Sequence, residues 1–294
     1  MAEVHQPVLV EEVLRGLALK SGAVVLDATV GFGGHAEVVL GAIGPEGRLV
    51  GIDRDQEALL FVRNRLKRFE GQMELIHGQF GDMGRLLSER NVEMLDAALF
   101  DLGVSSFQLD APERGFSFSR EGPLDMRMDQ AEPVDAAQIV NRISTEDLIE
   151  LLRTYGEERW AGRIARAIVR ERPFSTTTAL AQTVRRAVPP GARHGRIDAA
   201  TRTFQAIRIA VNQELDLLPR GLEQAIGRLK PGGRIAVLAY HSLEDRIVKN
   251  LFRTRAQAGM LELVTRKPIR PSEQETARNP RARSARLRIA QRHA

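Results

Sequence analysis

The 294-residue chain has no cysteine, one tryptophan and two tyrosines. Without thiols there are no disulfides, no thiolate zinc sites, no cysteine-ligated iron–sulfur clusters and no cysteine nucleophile. Long apolar runs are missing too: none approaches the ~18–20 residues a membrane-spanning helix needs. The opening residues Met1-Ala-Glu-Val-His5-Gln-Pro7 hold neither a basic segment nor an apolar one of the kind that directs secretion, so a cytoplasmic location is expected. Six scattered histidines lack ligand spacing, and no metal site is expected.

Charge is present and unevenly placed. The chain carries a net +5; residues 264–294 hold nine Lys/Arg against two Glu, a net +7, which leaves −2 on the other 263 residues. A basic end on a near-neutral body points to a phosphate-rich partner, and a solvated tail would read the same way.

Short apolar runs over 23–28, 48–52, 73–76 and 95–100 alternate with helical stretches, one near 35–40 and one with Ala58, Val62 and Leu66 at i+4 spacing. This alternation predicts an α/β fold, an open parallel sheet with helices on both faces. The next strand is expected only at 234–239, after Leu229-Lys-Pro231-Gly232-Gly233, which reads as a turn ending a helix. Between them lie a Gly/Pro/Asp-rich loop (110–133) and helical patterns over 145–155, 160–168 and 178–188, with a break at Pro189-Pro190-Gly191. Phe204, Ile207, Val211, Leu215 and Leu218 then form one further stripe. A structureless loop of that size is implausible. Residues 110–215 are therefore predicted to be an inserted helical domain, with 1–109 and 216–294 forming the sheet domain. A helix over 243–255, a strand near 261–265 and a last strand over 286–290 complete it.

The chemistry gathers at the predicted strand ends. Asp27-Ala-Thr-Val-Gly31-Phe-Gly33-Gly34-His35 joins the first strand to the first helix, and Asp53 ends the second strand 22 positions after Gly31. Glycines there let a ligand approach the main chain, and a carboxylate at the end of strand two can accept both hydroxyls of a ribose. Dinucleotides and S-adenosylmethionine both use this geometry. The spacing is Gly-x-Gly-Gly, not Gly-x-Gly-x-x-Gly, and with Pro231-Gly-Gly before strand five it favours a methyltransferase over a nicotinamide oxidoreductase. Phe80 follows strand three where an adenine would be sandwiched, and Asp101 ends strand four at the switch point.

Several segments in fixed order carry a resemblance over essentially the whole length: His5-Gln-Pro-Val-Leu, Asp27 to His35, Asp101-Leu-Gly-Val-Ser-Ser-Phe-Gln108, Arg114-Gly-Phe-Ser-Phe118, Gly122-Pro-Leu-Asp-Met-Arg-Met-Asp129, Thr203-Phe-Gln-Ala-Ile-Arg, Tyr240-His-Ser-Leu-Glu-Asp-Arg246 and Asn279-Pro-Arg-Ala-Arg-Ser284. In these the chain resembles the bacterial RsmH (MraW) family of 16S rRNA cytosine-N4 methyltransferases. The resemblance implies a Rossmann-like class I sheet with an inserted all-α subdomain. It implies S-adenosylmethionine as methyl donor and 16S rRNA, within the small ribosomal subunit, as partner. It also implies donor contacts at Gly33, Gly34, His35, Asp53, Phe80, Asp101 and Gln108.

The missing cysteine agrees with that reaction, since methylating carbon 5 of cytosine usually needs a thiolate adduct at carbon 6 and nitrogen 4 needs none. Many amino-methyltransferases place Asp/Ser/Asn-Pro-Pro-aromatic after strand four; here Asp101-Leu-Gly-Val-Ser105 keeps only the polar first residue. Asp101, Ser105 and His241 are the candidates for holding the amine. Phe107, Phe116, Phe118 and Tyr240 are candidates for stacking on the base. RNA contact is expected from Arg114, Arg120 and Arg127 and from Arg278, Arg281, Arg283 and Arg286, with the insert closing over the crevice. Monomer and homodimer both stay open.

Overall fold

A computed structural model describes residues 7–193 and 197–293; His5 and Gln6 of the first shared segment lie outside the described residues. The chain divides into two compact units, Met1–Gly103 with Leu215–Ala294, and Val104–Glu214.

The first unit is built on seven strands: β1 (Val24–Asp27), β2 (Arg48–Asp53), β3 (Met73–His77), β4 (Leu95–Asp101), β5 (Leu229–Ala239), β6 (Leu261–Leu263) and β7 (Arg286–Arg292). Their order in the sheet is β3-β2-β1-β4-β5-β7-β6. The first five run parallel; β7 is antiparallel to β5, and β6 to β7. The central strands are nearly all apolar because both faces are covered. Val25, Leu49, Ala97, Leu99 and Leu238 pack on one face with the helices Val10–Leu17 and Gly34–Ile43. Leu26, Val50, Ala98, Phe100 and Val237 pack on the other with Met83–Ser88, Glu214–Arg228 and Ser242–Gln257. This is the expected α/β sheet. The connections depart in opposite directions from β1, so the switch point lies between β1 and β4.

Two expectations about where elements begin and end need correction. The Pro231-Gly232-Gly233 segment is not a turn between helix and strand. It lies inside β5, where Leu229 already pairs with Leu95 before a register shift. Gly232 absorbs the irregularity at φ 78°, and a Cβ on Gly233 would sit 3.0 Å from the Asp96 carbonyl. The stripe from Phe204 to Leu218 is two helices, Thr201–Asn212 and Glu214–Arg228. Gln213, at φ 51°, turns the chain between them, and the apolar spacing happens to continue across the break.

The second unit is helical: Ala136–Arg142, Thr145–Gly156, Ala161–Glu171, Thr177–Ala187 and Thr201–Asn212 surround Leu148, Leu152, Ile164, Ile168, Leu180, Val184 and Ile207. Asp135, Ser144 and Thr176 cap three of these helices by accepting from backbone N–H groups one turn ahead. Trp160 packs against this core with the Arg159 guanidinium 4.7 Å above its ring. The short helix Ser106–Asp110 goes with this unit, which therefore starts at Val104, earlier than the expected 110. Among the described residues no helix is long and apolar enough to cross a membrane.

The Gly/Pro/Asp-rich loop is held from inside. Arg114, expected on the surface against RNA, is 2% exposed and donates to the carbonyls of Arg127 and Met128. Asn212 accepts from the N–H of Met128 and donates to the carbonyl of Met126. Arg127 is likewise engaged, forked onto Asp125 through Nε and Nη2. Arg120 remains exposed and donates to the Asp110 carbonyl. Gly115 lets the loop fold on itself: its φ is 70°, and a Cβ there would lie 2.3 Å from the Pro123 carbonyl oxygen. Gly115→Ala should lower stability by about 1–3 kcal/mol or more, because rigid backbone must give way. Urea unfolding with an unchanged midpoint would contradict this.

Candidate functional site

Three carboxylates end three adjacent strands: Asp53 on β2, Asp27 on β1 and Asp101 on β4. The first two accept from the main chain, and the third from a side chain. Asp53 Oδ2 accepts from the Gly31 N–H at 2.7 Å, and its Oδ1 accepts from Asp55 at 2.8 Å. Asp27 Oδ1 accepts from the Thr29 N–H at 3.2 Å, while its Oδ2 is buried with no hydrogen-bond partner among the described residues. Thr29 Oγ1 in turn accepts from the backbone N–H of Asp101 at 2.7 Å. The Tyr240 hydroxyl donates to Asp101 Oδ1 at 2.7 Å.

Between these groups the chain makes its tight turn. Gly31 and Gly33 take φ 51° and 77°, and the helix Gly34–Ile43 starts at once. A Cβ on Gly33 would press on Val62 at 3.1 Å, and one on Gly34 on Pro7 at 3.1 Å. His35, 4% exposed, follows in the first turn. Its Nε2 stands 3.6 Å from Asp101 Oδ2, and neither ring nitrogen makes a hydrogen bond among the described residues.

Crowding shifts the titration of the whole set. Burial pushes Asp27 up to about 7, with repulsion from Asp101 and Asp53 adding to it and the Thr29 bond opposing it. Burial pushes Asp53 up to about 6 against its two backbone bonds. Asp101 is also raised by desolvation, opposed by His35 and the Tyr240 bond. The Tyr240 phenol is raised by burial and by Asp101 beside it. His35 is lowered by burial and is therefore neutral near pH 7, poised as a weak partner to the carboxylate.

Gly33, Gly34, His35, Asp53 and Asp101 thus stand at one end of one sheet. Phe80 begins the turn after β3, edge-on to Phe100 at 5.9 Å between centroids and tight against Gly221. His241 adjoins Tyr240 but faces its own helix: its Nδ1 accepts from the Glu244 N–H, and Nε2 lies 3.2 Å from Glu244 Oε1. Buried Glu244 in turn accepts from the N–H groups of Tyr240 and His241 through Oε2. Ser105 and Gln108 belong to the second unit, where they form a reciprocal capping box: Ser105 Oγ accepts from the Gln108 N–H, and Gln108 Oε1 from the Ser105 N–H. Of the stacking candidates, Phe107 is 41% exposed and Phe116 is buried. Phe118 stands edge-on to Phe204 at 4.7 Å. Asp27 and Thr29 join the set as well; their sequence signal is the Asp-Ala-Thr that opens the turn.

Comparison with known proteins agrees over the full length. The model of the MraW methylase family matches residues 2–293. Ribosomal RNA small subunit methyltransferase H of Syntrophotalea carbinolica is 49% identical, over 98% of this chain and 98% of its own. The protein of the same name from Halothermothrix orenii is 45% identical at the same coverage of both. Among solved structures, an rRNA methylase from Streptococcus thermophilus aligns over 100% of both chains at 12% identity and a TM-score of 0.48, too distant to add to the sequence match.

The raised carboxylates make stability depend on pH. The folded protein binds protons on Asp27 and Asp53 more tightly than the unfolded chain, whose aspartates titrate near 3.8. Their contribution is therefore fully present below that value and is lost as pH rises through about 6 to 7. Asp27→Asn keeps the bond to Thr29 and removes its share of the loss. In urea unfolding of donor-free protein, the variant should gain on the parent as pH rises from about 4 to about 8; a gap that does not change with pH would refute the assignment.

Proposed function

Since the chain belongs to the MraW methylase family and is a methyltransferase using S-adenosylmethionine, we propose that its acceptor is the exocyclic N4 amine of a cytidine in the decoding centre of 16S rRNA, met within the small ribosomal subunit in the cytoplasm. The observation that carries the placement of this chemistry is the row of carboxylates on β2, β1 and β4. All three are raised in part by repulsion from neighbouring carboxylates, and among the described residues Asp27 Oδ2 has no hydrogen-bond partner. A ligand bearing positive charge and ribose hydroxyls relieves both conditions. The residues present fit S-adenosylmethionine, which when bound supplies a methyl group on a cationic sulfur.

On this reading Asp53 takes the ribose hydroxyls. Each of its oxygens accepts one backbone N–H, and a carboxylate has about four acceptor sites. Gly33 and Gly34 keep the main chain bare for the ligand, Phe80 flanks the adenine, and His35 completes the contacts. Asp101 holds the amine. Its Oδ1 is fixed by Tyr240 and its Oδ2 stays available to accept an N–H of the base. Holding that proton favours rehybridisation of a nitrogen whose lone pair is delocalised into the ring, and the proton can leave after methyl transfer. The other two candidates are already spent on helix caps: Ser105 Oγ on Gln108 and His241 Nδ1 on Glu244. Positioning does most of the remaining work, with ~7–11 kcal/mol of barrier offset in ideal cases.

Mass spectrometry of nucleosides from 16S rRNA incubated with protein and donor should find N4-methylcytidine; a different methylated nucleoside would overturn the proposed acceptor. Asp101→Ala should reduce kcat about a hundredfold or more, with donor affinity changed far less. Full turnover in that variant would remove Asp101 from the chemistry.

A further inference from the structure

The first unit carries a concavity that the strand-end carboxylates do not line. It has a volume of about 330 Å³ and is walled by Lys249, Phe252 and Arg253 of the helix Ser242–Gln257, by Thr265 and Arg266 beyond β6, and by Arg288 of β7. That is at the lower end of the ~300–1,000 Å³ of small-ligand sites. No carboxylate lines it.

Its four cations differ in how they are held. Arg288 is 7% exposed and is clamped by Asp245, Nε to Oδ1 at 2.6 Å and Nη2 to Oδ2 at 3.2 Å. The side chains of Lys249, Arg253 and Arg266 make no ion pair or hydrogen bond among the described residues. Neighbouring arginines are paired: Arg255 with Glu223, and Arg286 with Asp245. Lys249 and Arg253 stand at i,i+4 on one helix face, where like charges disfavour the helix unless an anion lies between them. Converging, unpaired cations around a depression without carboxylates are the donor set for phosphate oxygens.

The groove's place in the fold selects the source of the phosphate. The helix Ser242–Gln257 starts directly after β5, at the sheet end where Asp27, Asp53 and Asp101 stand. At ~1.5 Å per residue, Lys249 lies about 12 Å and Arg253 about 18 Å along the helix from His241. The paired cations Arg286 and Arg288 of β7 run beside that path. A polyanionic strand can therefore lie along the helix with one end at the carboxylates.

We propose that this groove holds the sugar–phosphate backbone of the rRNA strand next to the target nucleotide, with Lys249, Arg253 and Arg266 on its phosphates. Arg288, fixed by Asp245, forms the floor. The proposal rests on rRNA being the substrate, and is separate from the expected contacts at Arg281 and Arg283.

The test uses the full chain with Lys249→Gln/Arg253→Gln, which keeps helix-forming side chains on the surface. The control is Arg63→Gln/Lys67→Gln, which removes two exposed charges elsewhere on the same unit. Binding to 16S rRNA is followed by filter retention over a salt series, donor binding by calorimetry, and methyl transfer at saturating RNA. The groove variant should lose about tenfold in RNA affinity, and its log–log salt slope should become shallower by about 1.4–1.8, two phosphate contacts' worth. Donor affinity and transfer at saturating RNA should stay within about twofold, and the control should match the parent. Unchanged affinity and slope in the groove variant, or an equal loss in the control, would overturn the proposal. A parent protein that binds RNA but transfers no methyl would strike the functional reading instead, and the salt series would still decide the groove.

Discussion

Bringing carboxylates to the ends of three adjacent strands is the constraint on which the rest of the sheet unit turns. Desolvating a carboxylate is costly unless donors meet it, and here the donors are the chain's own turns. Asp53 takes the N–H of Gly31, which closes the glycine loop onto β2. Thr29 takes the N–H of Asp101 and gives its own N–H to Asp27, which locks β1 to β4 at the switch point. Tyr240 brings the end of β5 to the same place. The bonds that make burial of charge tolerable also shape the cradle, so its geometry follows from its electrostatics.

Most of the sheet was legible because its strands are apolar runs bounded by glycine and aspartate. The runs ending at Asp27, Asp53 and Asp101 can belong to nothing but buried strands pointing their acids the same way. Legibility failed where one residue type serves two geometries. Pro231-Gly232-Gly233 has the composition of a turn, yet it is an irregularity within β5, between the pair Leu229–Leu95 and the pair Arg234–Ala97. The break at Gln213 leaves no mark on apolar spacing, since a single left-handed residue can redirect a helix without altering the order of its side chains.

The site divides along the same line. Its acids were visible from their positions after strands, whereas their partners were not. Tyr240 lies 139 residues from Asp101, and no local pattern joins them. Arg114 in a polar loop reads as a solvated cation; only Asn212, contributed by a distant helix, shows that the loop folds over and buries it. Ser105 was the opposite case. Ser-x-x-Gln is a capping pattern in plain sight, and the attraction of a hydroxyl after strand four obscured it.

The lone tryptophan has an experimental consequence. Trp160 packs within the helical unit, and so does Tyr155, while Tyr240 stands alone in the sheet unit. Selective indole fluorescence is therefore blind to the Rossmann-like half. Any cooperative loss of that emission monitors melting of the insertion alone, and disagreement with far-ultraviolet dichroism would reveal that the two halves denature as separate thermodynamic bodies.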